Sequence, residues 1–459
     1  MKKKRFIILG DTHFCTHDIR GGYKGNSSLA ELPDYVRYAD MVESVLKPMF
    51  SRIRSFKPDF VISTGDFVEG GMKDKNKTYR EMKEGWRLIK SLKCPVIIAK
   101  GTHEGSGTSI GAEAYRKTVM PEISGLKGVE GQKEYFIFRK NNCVFFILDY
   151  LDYHLGNEQD IWLEAELRKA SGKAERIFIV AHPPLYNWGR HFFNEPEFIR
   201  RITRLCRKYP VDAYLCGHTH NQVLSYHETG KGKGFMQVTG SSVGYPNMDL
   251  RALDEFHVPA RFTVKDKLIW GIHEDSSPGF HLIEINNNDR MNIEWHSFKS
   301  DKASVVIETR RSRPSEITAP EYRRYEKKMS DIDMRQIKSG ILYIYGSYQN
   351  KNTEISVNDI SLGELPPNTT YAARRFITFT PEVLKTISKE NKIRVKLPEK
   401  GDFTFGSLSL EFLLLDNRII HSAVSPELFV CGERWKEFQK PRSLVKVKNE
   451  QTVSLTIKV

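Results

Sequence analysis

Asp11, His13, Asp66, His103, His182, His218 and His220 are widely separated in the chain, yet their types are those that hold divalent cations and move protons. His218 and His220 flank a single residue in Gly217-His218-Thr219-His220. Alternate side chains of an extended backbone share a face, so both imidazoles can turn to one cavity. Asp11-Thr12-His13 repeats that spacing with a carboxylate in place of one imidazole. Two divalent cations about 3.5–4 Å apart need a bridging carboxylate to offset their repulsion, with neutral imidazoles and oxygen ligands completing each shell. Asp66, directly after Gly65, is the natural bridge. Cations held this way polarise phosphoryl oxygens and lower the pKa of a bound water toward neutrality, giving hydroxide for in-line attack on phosphorus. His103, in Gly101-Thr102-His103-Glu104, is the candidate for a histidine outside the metal shell that stabilises the transition state or protonates the leaving oxygen.

Any one of these clusters alone is ordinary loop chemistry. What sets them apart is that each closes an apolar run: Arg5 to Gly10, Pro58 to Ser63, Cys94 to Lys100, Arg176 to Ala181 and Val211 to Cys216. Continuous apolar runs of this length are strands buried on both faces of a sheet, and α/β proteins place ligands at the carboxyl edges of such strands. Helical spacing appears over residues 35 to 56, with Val42, Val45 and Leu46 on one side, around Tyr79 to Leu92, and near Gln159 to Lys169. Glu134 to Phe138 with Val144 to Asp149, and Phe280 to Ile285 with Met291 to His296, read as hairpins; the second closes the first domain around Asn286 to Asp289.

A chain of 459 residues exceeds what one core usually supports, so two domains are expected: residues 1–299, a linker over 300–340, and 341–459. The net charge of +14 favours anionic partners, but about half of the surplus lies beyond residue 300, which makes it no focused patch at the site. Phe6-Ile7-Ile8-Leu9 is too short for the apolar segment of a signal peptide, and no run reaches transmembrane length. Cys15, Cys94, Cys143, Cys206, Cys216 and Cys431 show neither metal-ligand spacing nor a disulfide rhythm, so a reducing, cytoplasmic setting without membrane contact is expected.

As an ordered set, Asp11-Thr12-His13, Gly65-Asp66, Gly101-Thr102-His103-Glu104, His182 and Gly217-His218-Thr219-His220 resemble the calcineurin-like metallophosphoesterases over roughly residues 5 to 298. The resemblance implies a four-layer α/β/β/α sandwich with a dinuclear centre at one edge. It implies that Asp11, His13 and His220 hold the first metal, that Asp66 bridges, that His182 and His218 hold the second, and that His103 is catalytic. The metals would be manganese, iron, zinc or nickel, with manganese favoured. The family pattern has Asn before the catalytic histidine, where its amide oxygen binds the second metal; here that position is Thr102. A hydroxyl is a poorer neutral donor, so a more weakly held second ion is expected.

His17, His154 and His191 read as surface loop histidines, and Arg190 as a loop residue that could reach a phosphoryl group. Gly240 to Gly244 lacks the lysine and spacing of a phosphate loop and reads as a turn, while residues 245 to 278 read as a substrate-shaping insertion. Beyond the charged stretch containing Arg310-Arg311-Ser312-Arg313-Pro314 and a short helix over Glu321 to Met334, short strands recur between turn signals. Ile355 to Leu365 followed by Asn391 to Val395 resembles the galactose-binding-like jelly rolls, which implies an all-β sandwich serving as glycan-binding module or scaffold. The expected activity is hydrolysis of a phosphate ester by metal-bound hydroxide, a phosphodiester or phosphorylated sugar or glycan being favoured. The alternatives are a DNA-processing nuclease of the same superfamily, which would bind nucleic acid with strong salt dependence, and a scaffold protein with a decayed site. Oligomeric state and the identity of the substrate are not legible in the chain.

Overall fold

A computed structural model of the chain describes residues 4–22, 34–185, 196–220, 222–230, 233–240, 261–264, 267–275, 278–286, 290–298, 302–303, 305–310, 313–318, 334–347, 352–365, 373–396, 403–415, 419–421, 428–431, 444–446 and 450–456. His191, Arg190, residues 241–260 and the helix expected over Glu321 to Met334 lie outside these, except for Met334 itself.

Phe6 to Leu9 has no polar side chain for water, and the strand it forms, Lys4–Leu9 (β1), is buried along that length. It runs parallel to Phe60–Ser63 (β2), which runs parallel to Val96–Ile98 (β3). The second sheet begins with Val129–Glu130 (β4) and the hairpin of Phe136–Lys140 (β5) with Cys143–Ile147 (β6). Arg176–Val180 (β7), Ala213–Cys216 (β8), Gln222–Gly230 (β9) and Lys233–Thr239 (β10) follow, giving the order β9-β10-β8-β7-β6-β5-β4 with β6, β7, β8 and β10 parallel. Arg261–Val264 (β11) and Lys267–Asp275 (β12) form an antiparallel hairpin. Gly279–Ile285 (β13) pairs antiparallel with β1 and continues into Arg290–Ser297 (β14), as the alternating pattern there predicts.

The sheets face each other across phenylalanine rings. Phe6 of β1 stacks on Phe60 of β2 at 5.0 Å and meets Phe145 of β6 and Phe178 of β7 edge-on at 5.3 and 5.5 Å. On the opposite face of the second sheet, Ile137, Val144, Phe146 and Ile179 share a buried cluster with Leu163 and Leu167 of the helix Glu158–Ala170 and with Ile202 and Leu205 of the helix Pro196–Lys208. The period of two in each strand thus feeds one core between the sheets and another beneath helices. Outside the first sheet lie the helix Lys75–Lys90 and the long helical run Asp34–Met41, Val42–Leu46 and Lys47–Ser55, whose middle segment is a π-turn. The expected α/β fold of the metallophosphoesterases, helices over two mixed sheets, is the fold observed, with further sheets in the C-terminal part.

Residues 300–340 need correction as a linker. Val305–Arg310 (β15) and Arg313–Thr318 (β16) extend the first sheet in the order β16-β15-β14-β13-β1-β2-β3. Charge hid them: Arg313–Thr318 is the edge strand, where charged side chains are common, and its neighbour ends in Glu308-Thr309-Arg310, so both read as loop. The helices Ile110–Thr118, Met120–Ser124 and Pro196–Lys208 and the strand Gln222–Gly230 had no expectation attached.

The chain divides into two compact units, one of Met1–Tyr186, Pro196–His257 and Ile272–Tyr322, the other of Asn187–Glu195, Val258–Gly271 and Arg323–Val459. In the second, Ile337–Ser347 (β17), Thr353–Val357 (β18), Ile360–Leu365 (β19), Ala373–Thr378 (β20), Glu390–Lys396 (β21) and Phe403–Leu414 (β22) make up most of two sheets. Leu342 and Leu410 from one sheet share a buried cluster with Ile355, Ile393 and Val395 from the other.

Candidate metal centre

The carboxyl ends of β1, β2 and β3 lie together, and so do those of β7 and β8, because parallel strands in register all point one way. Backbone hydrogen bonds then carry the alignment into the loops: Thr64 N–H to Leu9 O at 2.8 Å, Asp11 N–H to Gly65 O and His13 N–H to Asp66 O at 3.0 Å, and Gly217 N–H to His182 O at 2.8 Å. The two sheets are tied at this edge by the His182 Nδ1–H, which donates to the Thr64 carbonyl at 2.9 Å, and by the His218 N–H, which donates to the Asp11 carboxylate at 2.9 Å. A Cβ on Gly101 would fall 2.3 Å from both N and Oδ1 of Asp66, so only glycine lets the 101–104 loop close on this residue. Asp11, His13, Asp66, His218 and His220 all have positive φ, between 43° and 72°, where side chains other than glycine are strained.

The geometry gathers the residues expected to act together. Asp11, His13 and His220 form one group and Asp66, His182 and His218 another, with ligand atoms in each group within 4.8 Å of one another. His13 Nε2 lies 3.2 Å from His220 Nε2, and His182 Nε2 lies 3.0 Å from His218 Nδ1. Asp66 stands between the groups, its Oδ2 at 3.0 Å from His182 Nε2 and 3.9 Å from His13 Nε2. Thr102 Oγ1 donates to Asp66 Oδ2 at 3.1 Å, and the His103 N–H donates to Asp66 Oδ1 at 2.8 Å. His103 itself is half-buried, with its Nδ1 on the Glu69 carbonyl and its ring edge-on to His13 at 4.5 Å. His17 is exposed and pairs with Asp40 at 2.7 Å, and His154 is exposed, as expected of loop histidines.

This donor set fits cations. His13 Nδ1 faces the Glu69 carboxylate at 2.8 Å and His182 Nδ1 faces the Thr64 carbonyl; both partners only accept, so each Nδ1 carries the proton and each Nε2 turns a lone pair inward. Lone pairs facing each other at close range need positive charge between them. Without it, protons fill the role: burial lowers the proton affinity of His182 and His103, but Asp66 outweighs it and raises both to about 9. Burial would raise Asp66, yet His182, His103 and His13 hold it well below the usual carboxylate range. Asp11 is pushed up to about 8 by burial, against His182 and together with Asp66. Bound cations would supply the charge that the buried carboxylates demand.

Three contributors went unread in the sequence. Glu69 orients His13. Tyr38, on the helix Asp34–Met41, stacks on His13 at 4.5 Å and places its hydroxyl 3.0 Å from His220 Nδ1. Glu104, seen as part of a motif, is a staple: its carboxylate accepts N–H groups from Gly101 at 2.7 Å and from Asp66 and Phe67 at 2.9 Å. Glu69 had a faint signal in its place three residues after Asp66, where the loop turns back; Tyr38 had none beyond helical spacing.

Residues 4–222 match the family model described as calcineurin-like phosphoesterase. Tartrate-resistant acid phosphatase type 5 of Homo sapiens is 25% identical over 278 residues, which cover 56% of this chain and 81% of the phosphatase. A probable glycerophosphodiester phosphodiesterase, GpdQ of Arcobacter nitrofigilis, is 26% identical over 182 residues, 36% of this chain and 57% of that one. Among solved structures, purple acid phosphatase PPD1 from yellow lupin (Lupinus luteus) seeds is similar over 66% of this chain and 52% of its own, with TM-score 0.46 and 17% identity. This chain therefore spans about half the length of the lupin protein.

Proposed function

We propose that the protein, whose residues 4–222 match the calcineurin-like phosphoesterase model, is a metal-dependent phosphohydrolase that cleaves a phosphate ester, a phosphodiester or phosphorylated sugar or glycan being favoured. The observation that carries this is the meeting of Asp11, His13, His182, His218 and His220 around Asp66, with imidazole lone pairs turned toward one another.

Asp11, His13 and His220 would hold one divalent cation, His182 and His218 a second, and Asp66 would bridge. Manganese is favoured, with iron, zinc or nickel also suited to mixed carboxylate and imidazole donors. Such ions polarise a phosphoryl oxygen and bring the pKa of a coordinated water near neutrality. The Nδ1 of His103 meets the Glu69 carbonyl, which leaves Nε2 as the atom that would protonate the departing oxygen. Thr102 donates its hydroxyl to Asp66, so that oxygen would serve the bridge by a hydrogen bond rather than as a ligand, and the second ion would be the more weakly held.

The C-terminal sheets are read as a galactose-binding-like sandwich, which the alternating burial of β21 and the core shared between sheets support. The described cysteines, Cys15, Cys94, Cys143, Cys206 and Cys216, are all free thiols, which supports a reducing, cytoplasmic setting. Among the described residues no helix is long and apolar enough to cross a membrane.

Turnover of bis-p-nitrophenyl phosphate and p-nitrophenyl phosphate with manganese, iron, zinc and nickel, with Asp66→Ala as control, tests the reading. Metal-dependent release of nitrophenol that Asp66→Ala abolishes is the expected result. Absence of turnover with every metal would leave a scaffold protein.

A further inference from the structure

The histidines that line the centre differ in what their outward nitrogens meet. Those of His13 and His182 face a carboxylate and a peptide carbonyl, which accept and never donate. His220 Nδ1 instead faces the hydroxyl of Tyr38 at 3.0 Å. For Nε2 of His220 to offer a lone pair, Nδ1 must carry the proton, and the phenol oxygen must accept it. The same tyrosine ring lies parallel to His13, 4.5 Å between centroids and 9° between planes. One side chain therefore touches both imidazoles of the Asp11, His13 and His220 group, by a hydrogen bond to one and a stacked face on the other.

Tyr38 is 3% exposed, so water is not at hand to replace its hydroxyl. The helix that bears it is docked on the loop carrying His13: the Cys15 thiol donates to the Tyr35 carbonyl at 3.2 Å, and His17 pairs with Asp40. The helix then passes into the π-turn Val42–Leu46, a widened turn of the kind often found beside functional sites. A tyrosine that merely packed would need its ring buried and its hydroxyl satisfied anywhere; this one satisfies it on a metal-ligand candidate.

We propose that Tyr38 is a positioning residue for the first metal site, fixing the tautomer and tilt of His220 and clamping the ring of His13. The proposal rests on the function proposed above, since it needs the site to hold a cation. Partners that orient ligand imidazoles from outside the metal shell typically contribute about 10–100-fold to metal affinity.

The test is a titration of the metal-free full-length chain with Mn²⁺ by calorimetry, with bound metal counted by mass spectrometry, for wild type and Tyr38→Phe. Phenylalanine keeps the stacked ring and deletes only the acceptor. The expected result is an affinity for one ion reduced about 10–100-fold while the other keeps its wild-type affinity, with an unchanged thermal melt. Tyr38→Leu, which also removes the stacked ring, should weaken the same ion further. Wild-type affinity for both ions in Tyr38→Phe would overturn the proposal, and so would equal weakening of both, which reports general damage. A wild-type chain that binds no divalent ion would overturn this proposal and the function together.

Discussion

Glu104 holds Asp66 by its backbone: the Glu104 carboxylate accepts the Asp66 N–H at 2.9 Å and, through its other oxygen, the Phe67 N–H at 2.9 Å. Asp66, the residue proposed to bridge, is thus aimed by a carboxylate from the neighbouring loop. Both residues are buried, and Glu104 is pushed up to about 7 by burial and by Asp66, so its place in the loop is held at an electrostatic cost that the N–H donors offset.

Glu104→Ala leaves the N–H groups of Gly101, Asp66 and Phe67 buried without this acceptor. Each such loss costs about 1–3 kcal/mol, so a destabilisation of about 3 kcal/mol or more is expected, together with loss of turnover. Urea denaturation followed by fluorescence checks it; a loss under about 1 kcal/mol would show that the staple is dispensable.

Thr102→Asn puts an amide oxygen where the hydroxyl now donates to Asp66. A carbonyl oxygen is the better ligand, so the second ion should bind about tenfold tighter, by analogy with the effect of groups around metal ligands. Mn²⁺ titration reads this directly, and unchanged affinity and stoichiometry would refute it.

Lys100 is fully buried and pairs with Asp149 at 2.6 Å, with Glu134 and Asp152 at 3.4 and 3.3 Å. Removing one member of a buried pair leaves an uncompensated charge, so Lys100→Met should cost about 3–5 kcal/mol. Because Lys100 leads directly into Gly101-Thr102-His103, turnover should fall with stability. Thermal melts and turnover of the variant check both, and a variant as stable as wild type would contradict the first.

His227 is buried on β9 beside Ser225, whose hydroxyl lies 2.9 Å from its Nε2, and burial pushes its pKa down to about 3. Between pH 3 and about 6.5 the unfolded chain takes up a proton that the native chain refuses, so stability rises with pH over that window. One proton contributes at most about 1.4 kcal/mol per pH unit. His227→Gln should flatten the pH dependence of unfolding free energy by up to that amount between pH 4 and 6, and coincident slopes for variant and wild type would exclude the effect.

The framework of the site was legible because strands buried on both faces write themselves as uninterrupted apolar runs, and Asp11, Asp66, His182 and His218 stand where those runs stop. The pairing of His13 with His220, far apart in sequence, came only with the family resemblance, since spacing says nothing of contacts between distant loops. Tyr38 was hidden because a tyrosine on an amphipathic helix looks the same whether it packs or positions a histidine. The strands Val305–Arg310 and Arg313–Thr318 were hidden by their charges, and the helices Ile110–Thr118 and Met120–Ser124 fell in a stretch without a long apolar period.

Five of the side chains at the centre sit on backbone that glycine would occupy with less strain. Left-handed conformations cost other residues about 1–3 kcal/mol each, so replacing Asp11, His13, Asp66, His218 or His220 by glycine relieves the backbone while deleting a ligand. At His218 the backbone relief and the loss of a candidate ligand pull in opposite directions, whereas glycine at Asp11 or Asp66 would also strand the buried N–H groups of His218 and His103.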